Sequence, residues 1–101
     1  MALIKVAEAE EIAPGSCKAV RVEGRDIAVF NISGAFYGID DACPHRYAPL
    51  SDGFVSGEII TCPWHAWQIN VRTGEVIYNP HTCVDTYACV LKPEGIYVEI
   101  G

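Results

Sequence analysis

Two short cysteine–histidine motifs constrain the fold of this 101-residue chain more than any other feature. The first motif is Cys43-Pro44-His45 and the second is Cys62-Pro63-Trp64-His65. Each motif places one thiolate and one imidazole close together in sequence, and these are the soft ligands of zinc and iron–sulfur sites. We therefore expect a fold in which two separate loops bring Cys43, His45, Cys62 and His65 to one metal centre.

Three interpretations of these four residues are open on the residues alone. Structural zinc sites usually pair their cysteines with about two to four residues between them, and their histidines with about three to five. Here each motif is mixed, which favours a dinuclear iron–sulfur centre in which two cysteines bind one iron and two histidines bind the other. Zinc is the second alternative, and unrelated core cysteines and loop histidines are the third.

Charge and composition exclude some classes of function. The formal net charge is −6 and the pI is about 4.8, which argues against a nucleic-acid-binding protein because such proteins need a basic face. Half of the residues are hydrophobic, as in ordinary globular proteins, and the length predicts a single domain over residues 1–101. No stretch approaches the ~18 apolar residues of a membrane span. We expect no membrane partner.

The cysteine count indicates the cellular compartment. Five cysteines form no closed set of disulfides, and clustered cysteine with histidine in a reducing compartment favours a metal site. The N-terminus lacks the basic lead and apolar run of a targeting signal, so we expect a cytoplasmic protein.

The pattern along the chain predicts an all-β fold. Short runs rich in β-branched residues alternate with glycine-containing turns, at a spacing typical of an antiparallel sandwich or small barrel. The predicted strands are residues 17–22, 27–32, 35–39, 58–61, 67–71, 76–78, 88–91 and 96–100, with weak helical character near 8–12. Prolines mark residues 43–50 and 62–66 as loops on this scaffold. We expect a cluster-binding subdomain formed by these two loops, within residues 43–67.

These motifs make the chain resemble the Rieske family, whose pattern is C-x-H followed, about sixteen residues later, by C-x-x-H. The segments Cys43–Gly53 and Cys62–Trp67 look like those of soluble Rieske-type ferredoxins, the ferredoxin components of bacterial oxygenase systems. The resemblance implies one [2Fe-2S] cluster, with Cys43 and Cys62 on the inner iron. It implies that His45 and His65 bind the outer iron.

Departures from the family pattern predict a low reduction potential. Rieske proteins of respiratory complexes carry an additional cysteine in each loop, joined as a disulfide, and a hydroxyl two residues after the second histidine. The corresponding positions here are Ala48, Trp64 and Trp67. Without that disulfide and that hydroxyl donor, we expect a potential near the low end of the Rieske range, roughly −150 mV.

The resemblance implies an electron-transfer protein with no catalytic residues of its own. It would pass single electrons from an NAD(P)H-dependent flavin reductase to a terminal oxygenase. The alternative is the small subunit of an assimilatory NAD(P)H nitrite reductase, whose partner would be the large subunit of that enzyme. Four intact ligands favour the ferredoxin.

Other chemically capable residues have simpler interpretations. We expect Cys17, Cys83 and Cys89 to be buried as small apolar side chains. Asp40 and Asp41, just before the first motif, are predicted to lie in a solvated turn.

Overall fold

The computed structural model describes residues 2–41, 49–63, 67–77 and 79–100, except for the side chains of 79–81. Within these ranges the chain forms strands and two short 3-10 helices, Ala9–Glu11 and Leu50–Asp52, and no α-helix. The strands are β1 Ala2–Ala7, β2 Cys17–Val22, β3 Arg25–Ile32, β4 Ala35–Asp40, β5 Phe54–Ser56, β6 Ile59–Thr61, β7 Gln68–Asn70, β8 Glu75–Val76, β9 Asn79–Cys83, β10 Thr86–Lys92 and β11 Gly95–Ile100.

The larger sheet has six antiparallel strands in the order β1-β11-β10-β4-β3-β2. Tight turns build it: Glu23-Gly24 joins β2 to β3, and Ser33-Gly34 joins β3 to β4. All four turn residues have positive φ, as the favoured two-residue hairpin turns require. The edge strands β1 and β2 come close to each other, so the sheet curls toward a barrel.

The smaller sheet is an insertion between two neighbouring strands of the larger one. Its five antiparallel strands follow chain order, β5-β6-β7-β8-β9. The chain leaves the larger sheet after β4 and returns at β10, where Ile39 pairs with Thr86. The N–H of Asp40 donates to the carbonyl of Asp85 over 3.0 Å, which closes the base of the insertion.

Strand β3 lies between two hydrophobic cores and contributes side chains to both. Because side chains alternate along a strand, Ile27 and Val29 point into one core and Ala28 and Phe30 into the other. The first core fills the curled larger sheet. The second core joins it to the smaller sheet and also contains Leu50, Ile60, Cys62, Ile69, Val71, Val76 and Val84.

The structure confirms the predicted fold class, an antiparallel all-β scaffold. The expected cluster-binding subdomain is more than two loops, because it has its own five-stranded sheet. Strands β1, β5 and β9 were not predicted. The helical character near residue 8 is a single 3-10 turn, stabilised by reciprocal hydrogen bonds between Glu8 and Glu11. No helix in the described part of the chain is long and apolar enough to cross a membrane.

Candidate metal centre

The first candidate ligand loop is clamped where it leaves and rejoins the sheet. It leaves at Asp41, and the described chain resumes at Pro49. The backbone N–H of Leu50 donates to the carbonyl of Asp41, and the N–H of Ser51 donates to the Asp41 carboxylate over 2.8 Å. These two bonds hold the stems of the loop together across residues 42–48.

The second candidate loop is clamped in the same way. The N–H of Cys62 donates to the carbonyl of Trp67 over 2.7 Å, which holds together the two residues that flank 63–66 between β6 and β7. Strands β6 and β7, which flank this loop, are anchored in the core, since Ile60 and Ile69 pair in the sheet and are fully buried. The side chain of Trp67 packs against the same core, in agreement with the packing role that is usual for large aromatics.

The stems of the two loops are in direct contact. Gly53 follows the first loop and lies against the backbone of Thr61, the residue before Cys62. A β-carbon at position 53 would overlap the carbonyl oxygen of Thr61, so only glycine permits this approach. Phe54 then pairs with Thr61 in the smaller sheet. The sequence therefore brings the stems of the two candidate loops side by side.

Cys62 is the one predicted ligand among the described residues. Its side chain is 1% exposed and belongs to the core that also contains Leu50, from the stem of the first loop. Cys43, His45 and His65 lie outside the described residues. Within the described ranges no three histidine, cysteine or carboxylate side chains form a group that could hold a metal ion. A buried thiol next to the contact between the two loop stems fits the sulfur ligand of an inner iron.

The remaining described cysteines have three different environments. The Cys17 Sγ donates a hydrogen bond to the Ser51 carbonyl over 3.3 Å, and burial raises the pKa of this half-buried thiol. Burial raises the pKa of Cys89 to about 12. Cys83 is exposed, so the expectation that it is buried was wrong. Its strand β9 is an edge of the smaller sheet, which leaves room for solvent.

The two aspartates before the first motif are not in a solvated turn. Asp40 is half-buried and accepts a hydrogen bond of 2.7 Å from the hydroxyl of Tyr87. Asp41 is 8% exposed. The sequence could not reveal this, because their surroundings come from β10 and from the Leu50–Asp52 helix, which are distant in sequence.

The fold defines a class of small antiparallel β proteins in which a smaller sheet brings the stems of two candidate ligand loops together. Comparison with known proteins specifies the class, because residues 2–88 match the profile of the Rieske [2Fe-2S] domain. The chain belongs to this family, and its cofactor is accordingly a [2Fe-2S] cluster.

Similar proteins include ferredoxins of oxygenase systems. The chain is 33% identical over 92 residues to the ferredoxin component of the naphthalene 1,2-dioxygenase system of Pseudomonas aeruginosa, covering 90% of this chain and 88% of the relative. It is 32% identical, with a TM-score of 0.87, to a chain in the solved complex of reduced oxygenase and oxidized ferredoxin in carbazole 1,9a-dioxygenase. That alignment covers 95% of this chain and 91% of the other.

A solved structure described as a putative nitrite reductase NADPH small subunit has the same fold. Its TM-score is 0.87, and the alignment covers 99% of this chain and 100% of the other. The sequence identity is only 18%, so this likeness concerns the fold alone.

Proposed function

We propose that this protein is a one-electron carrier that passes electrons from an NAD(P)H-dependent flavin reductase to a terminal oxygenase. Its cluster ligands are Cys43, His45, Cys62 and His65. The strongest structural support is the burial of Cys62 next to the contact between the stems of the two loops. Ferredoxin relatives that align over nearly the whole chain support the carrier role. In this proposal residues 1–101 form one domain, with the ligand loops within 43–67.

The donor set determines what chemistry the bound group supplies. A [2Fe-2S] cluster with two thiolate and two imidazole ligands supplies one-electron transfer at a higher potential than a cluster with four thiolates, because neutral imidazoles leave less negative charge on it. The protein's own contribution is to hold the ligands and exclude water. Cys62 keeps its thiol in the hydrophobic core, and the bonds at Asp41 and Trp67 fix the loop stems.

The carrier role requires only that partners reach the cluster. The protein does not transform the substrate in this proposal, and the oxygenase does so. Its net charge of −6 suits docking on a basic surface of each partner. A cytoplasmic location is part of the proposal, and it is supported by the described cysteines, all of which are free thiols.

Metal and sulfide analysis of the purified protein tests the cluster. We expect two irons and two acid-labile sulfides per chain, and a reduced-state paramagnetic resonance spectrum with a lower average g value than four-cysteine clusters give. Stoichiometric zinc without labile sulfide would contradict the proposal.

Matched variants test the ligand assignment. Cys62→Ala should abolish the cluster, whereas Cys83→Ala should keep it, because Cys83 is exposed in an edge strand. His65→Ala should likewise abolish it, whereas His81→Ala should keep it. Retention of the cluster in Cys62→Ala or His65→Ala would show that other residues bind the iron.

The nitrite reductase small subunit remains a second candidate because of the shared fold. Electron delivery separates the two candidates. The reduced protein should reoxidise rapidly with a terminal aromatic-ring oxygenase and slowly with the large subunit of a nitrite reductase. The opposite order would favour the second candidate.

A further inference from the structure

A buried carboxylate lies at the neck of the first ligand loop. Asp41 is 8% exposed and is two residues before Cys43 in the sequence. Its carboxylate accepts the N–H of Ser51 over 2.8 Å, and its own N–H donates to the carbonyl of Asp26 over 3.0 Å. Aspartate is almost never fully buried without a partner, since burial of a charge is costly. The position of Asp41 therefore calls for an explanation.

The negative charge of Asp41 affects a thiol on another strand. Ser51, which donates to the carboxylate, accepts the thiol of Cys17 through its own carbonyl. Burial is the largest cause of the raised pKa of Cys17, and the negative charges of Asp41 and Asp52 raise this pKa further. The negative charge of Asp41 therefore acts on a half-buried thiol of strand β2.

None of the ion pairs among the described residues includes Asp41. Four pairs form among the described residues, and each joins exposed or partly exposed side chains of other positions: Lys5–Glu8, Lys18–Glu11, Arg21–Asp26 and Arg72–Glu58. The group that stabilises the Asp41 carboxylate in the described part of the chain is the neutral N–H of Ser51.

We propose that Asp41 is a built-in negative charge that lowers the reduction potential of the cluster. The inference rests on the proposed function. Reduction adds one negative charge to the cluster, and a fixed negative charge close by in a medium of low dielectric opposes it. Asp41 thereby makes the reduced protein a stronger donor to the next protein in the chain of electron transfer.

The test is the reduction potential of the cluster-loaded Asp41→Asn protein. Asparagine has nearly the same size, and its side-chain oxygen can still accept the N–H of Ser51, so this variant removes the charge and little else. We expect the potential to shift to a more positive value. The reduced-state paramagnetic resonance spectrum should stay unchanged, because the ligands stay in place.

Asp52→Asn is the matched control. Asp52 lies in the same stem, on the 3-10 helix Leu50–Asp52, but it is exposed. Its variant should shift the potential less, and that shift should disappear at high ionic strength, whereas the shift of Asp41→Asn should persist.

Several outcomes would overturn the inference. An unchanged or more negative potential in loaded Asp41→Asn would overturn it. A shift that salt abolishes as fully as it does for Asp52→Asn would also contradict it. If Asp41→Asn does not hold the cluster, Asp41→Ser removes the charge with another hydrogen-bond acceptor and should give the same positive shift. If neither variant holds the cluster while Asp41→Glu does, Asp41 serves assembly and the inference is wrong.

Failure of the inference is distinguishable from failure of the proposed function. A wild-type protein without iron and labile sulfide would refute the proposed function. A loaded wild type whose potential does not respond to Asp41→Asn would refute the role of Asp41 alone.

Discussion

The hydroxyl of Tyr87 in β10 donates a hydrogen bond of 2.7 Å to the carboxylate of Asp40 in β4. This bond lies where the smaller sheet is inserted into the larger one, and the Asp40–Asp85 backbone bond lies beside it. Two side chains 47 residues apart in sequence thus join the two ends of the cluster-binding subdomain.

Tyr87→Phe should therefore lower the free energy of unfolding at neutral pH by about 1 kcal/mol, the usual contribution of a partly buried hydrogen bond. Burial and the hydrogen bond to Asp40 raise the pKa of Tyr87 above its ordinary value of 10.0. Between pH 10 and the raised pKa, the folded state keeps the phenol proton of Tyr87, whereas the unfolded state loses it. The contribution of Tyr87 is therefore complete below pH 10 and is lost as the pH rises through the raised pKa.

Denaturant unfolding of both proteins at neutral and at strongly alkaline pH measures this difference. The stability gap between wild type and Tyr87→Phe should shrink at high pH. A gap that widens with pH, or no gap at neutral pH, would show that the bond does not stabilise the protein.

Gly53→Ala should separate the stems of the ligand loops. The added methyl group would overlap the carbonyl oxygen of Thr61, and a backbone atom of a paired strand cannot move aside cheaply. We expect a loss of cluster occupancy, measured as labile sulfide per chain, together with a lower melting temperature.

Gly57→Ala is the control for the loss of a glycine in the same β5–β6 hairpin. A β-carbon there meets no atom within 4 Å, and only its positive φ of 60° is unfavourable. This variant should lose about 1 kcal/mol of stability and keep the cluster. Equal cluster loss in the two variants would contradict the proposed contact between the stems.

Thiol labelling should distinguish the cysteines that do not bind the cluster. In the loaded protein at mildly alkaline pH, Cys83 should react rapidly because it is exposed. Cys89 should not react, because its pKa of about 12 leaves almost no thiolate, and the raised pKa and burial of Cys17 slow its reaction. Mass spectrometry should find one fast-reacting thiol, which Cys83→Ser removes. Rapid labelling of Cys89 would contradict its partial burial and its raised pKa.

Electron transfer from the reductase should slow as salt concentration rises. An acidic carrier of net charge −6 is drawn to a basic partner over long range, and ions screen this attraction. Stopped-flow rates at several ionic strengths measure the effect. A rate independent of salt would contradict electrostatic docking and favour apolar contact.

The sequence predicted those parts of the fold that depend on local pattern. The β2–β3 hairpin follows from two β-branched runs around Glu23-Gly24, and the β10–β11 hairpin from the turn at Pro93-Glu94. Strand β5 was not predicted because Phe54–Ser56 is only three residues long, and it exists because it pairs with β6.

The candidate site likewise has some features that the sequence predicted and others that it could not predict. The ligand motifs were visible in the sequence because four residues coincide at a characteristic spacing. The burial of Asp41, the contact of Gly53 with Thr61 and the exposure of Cys83 depend on which strands become neighbours. No local pattern contains this information.

The reduction potential as a function of pH tests most directly whether two cysteines and two histidines hold the cluster. A histidine ligand keeps a proton on its second ring nitrogen, and the oxidised cluster releases that proton at lower pH than the reduced cluster does, whereas a cysteine ligand has no such proton. Voltammetry should therefore show a potential that is flat at neutral pH and falls at alkaline pH, with a limiting slope of about 59 mV per pH unit for one proton per electron. A potential that stays flat while the protein remains folded would contradict histidine ligation by His45 and His65.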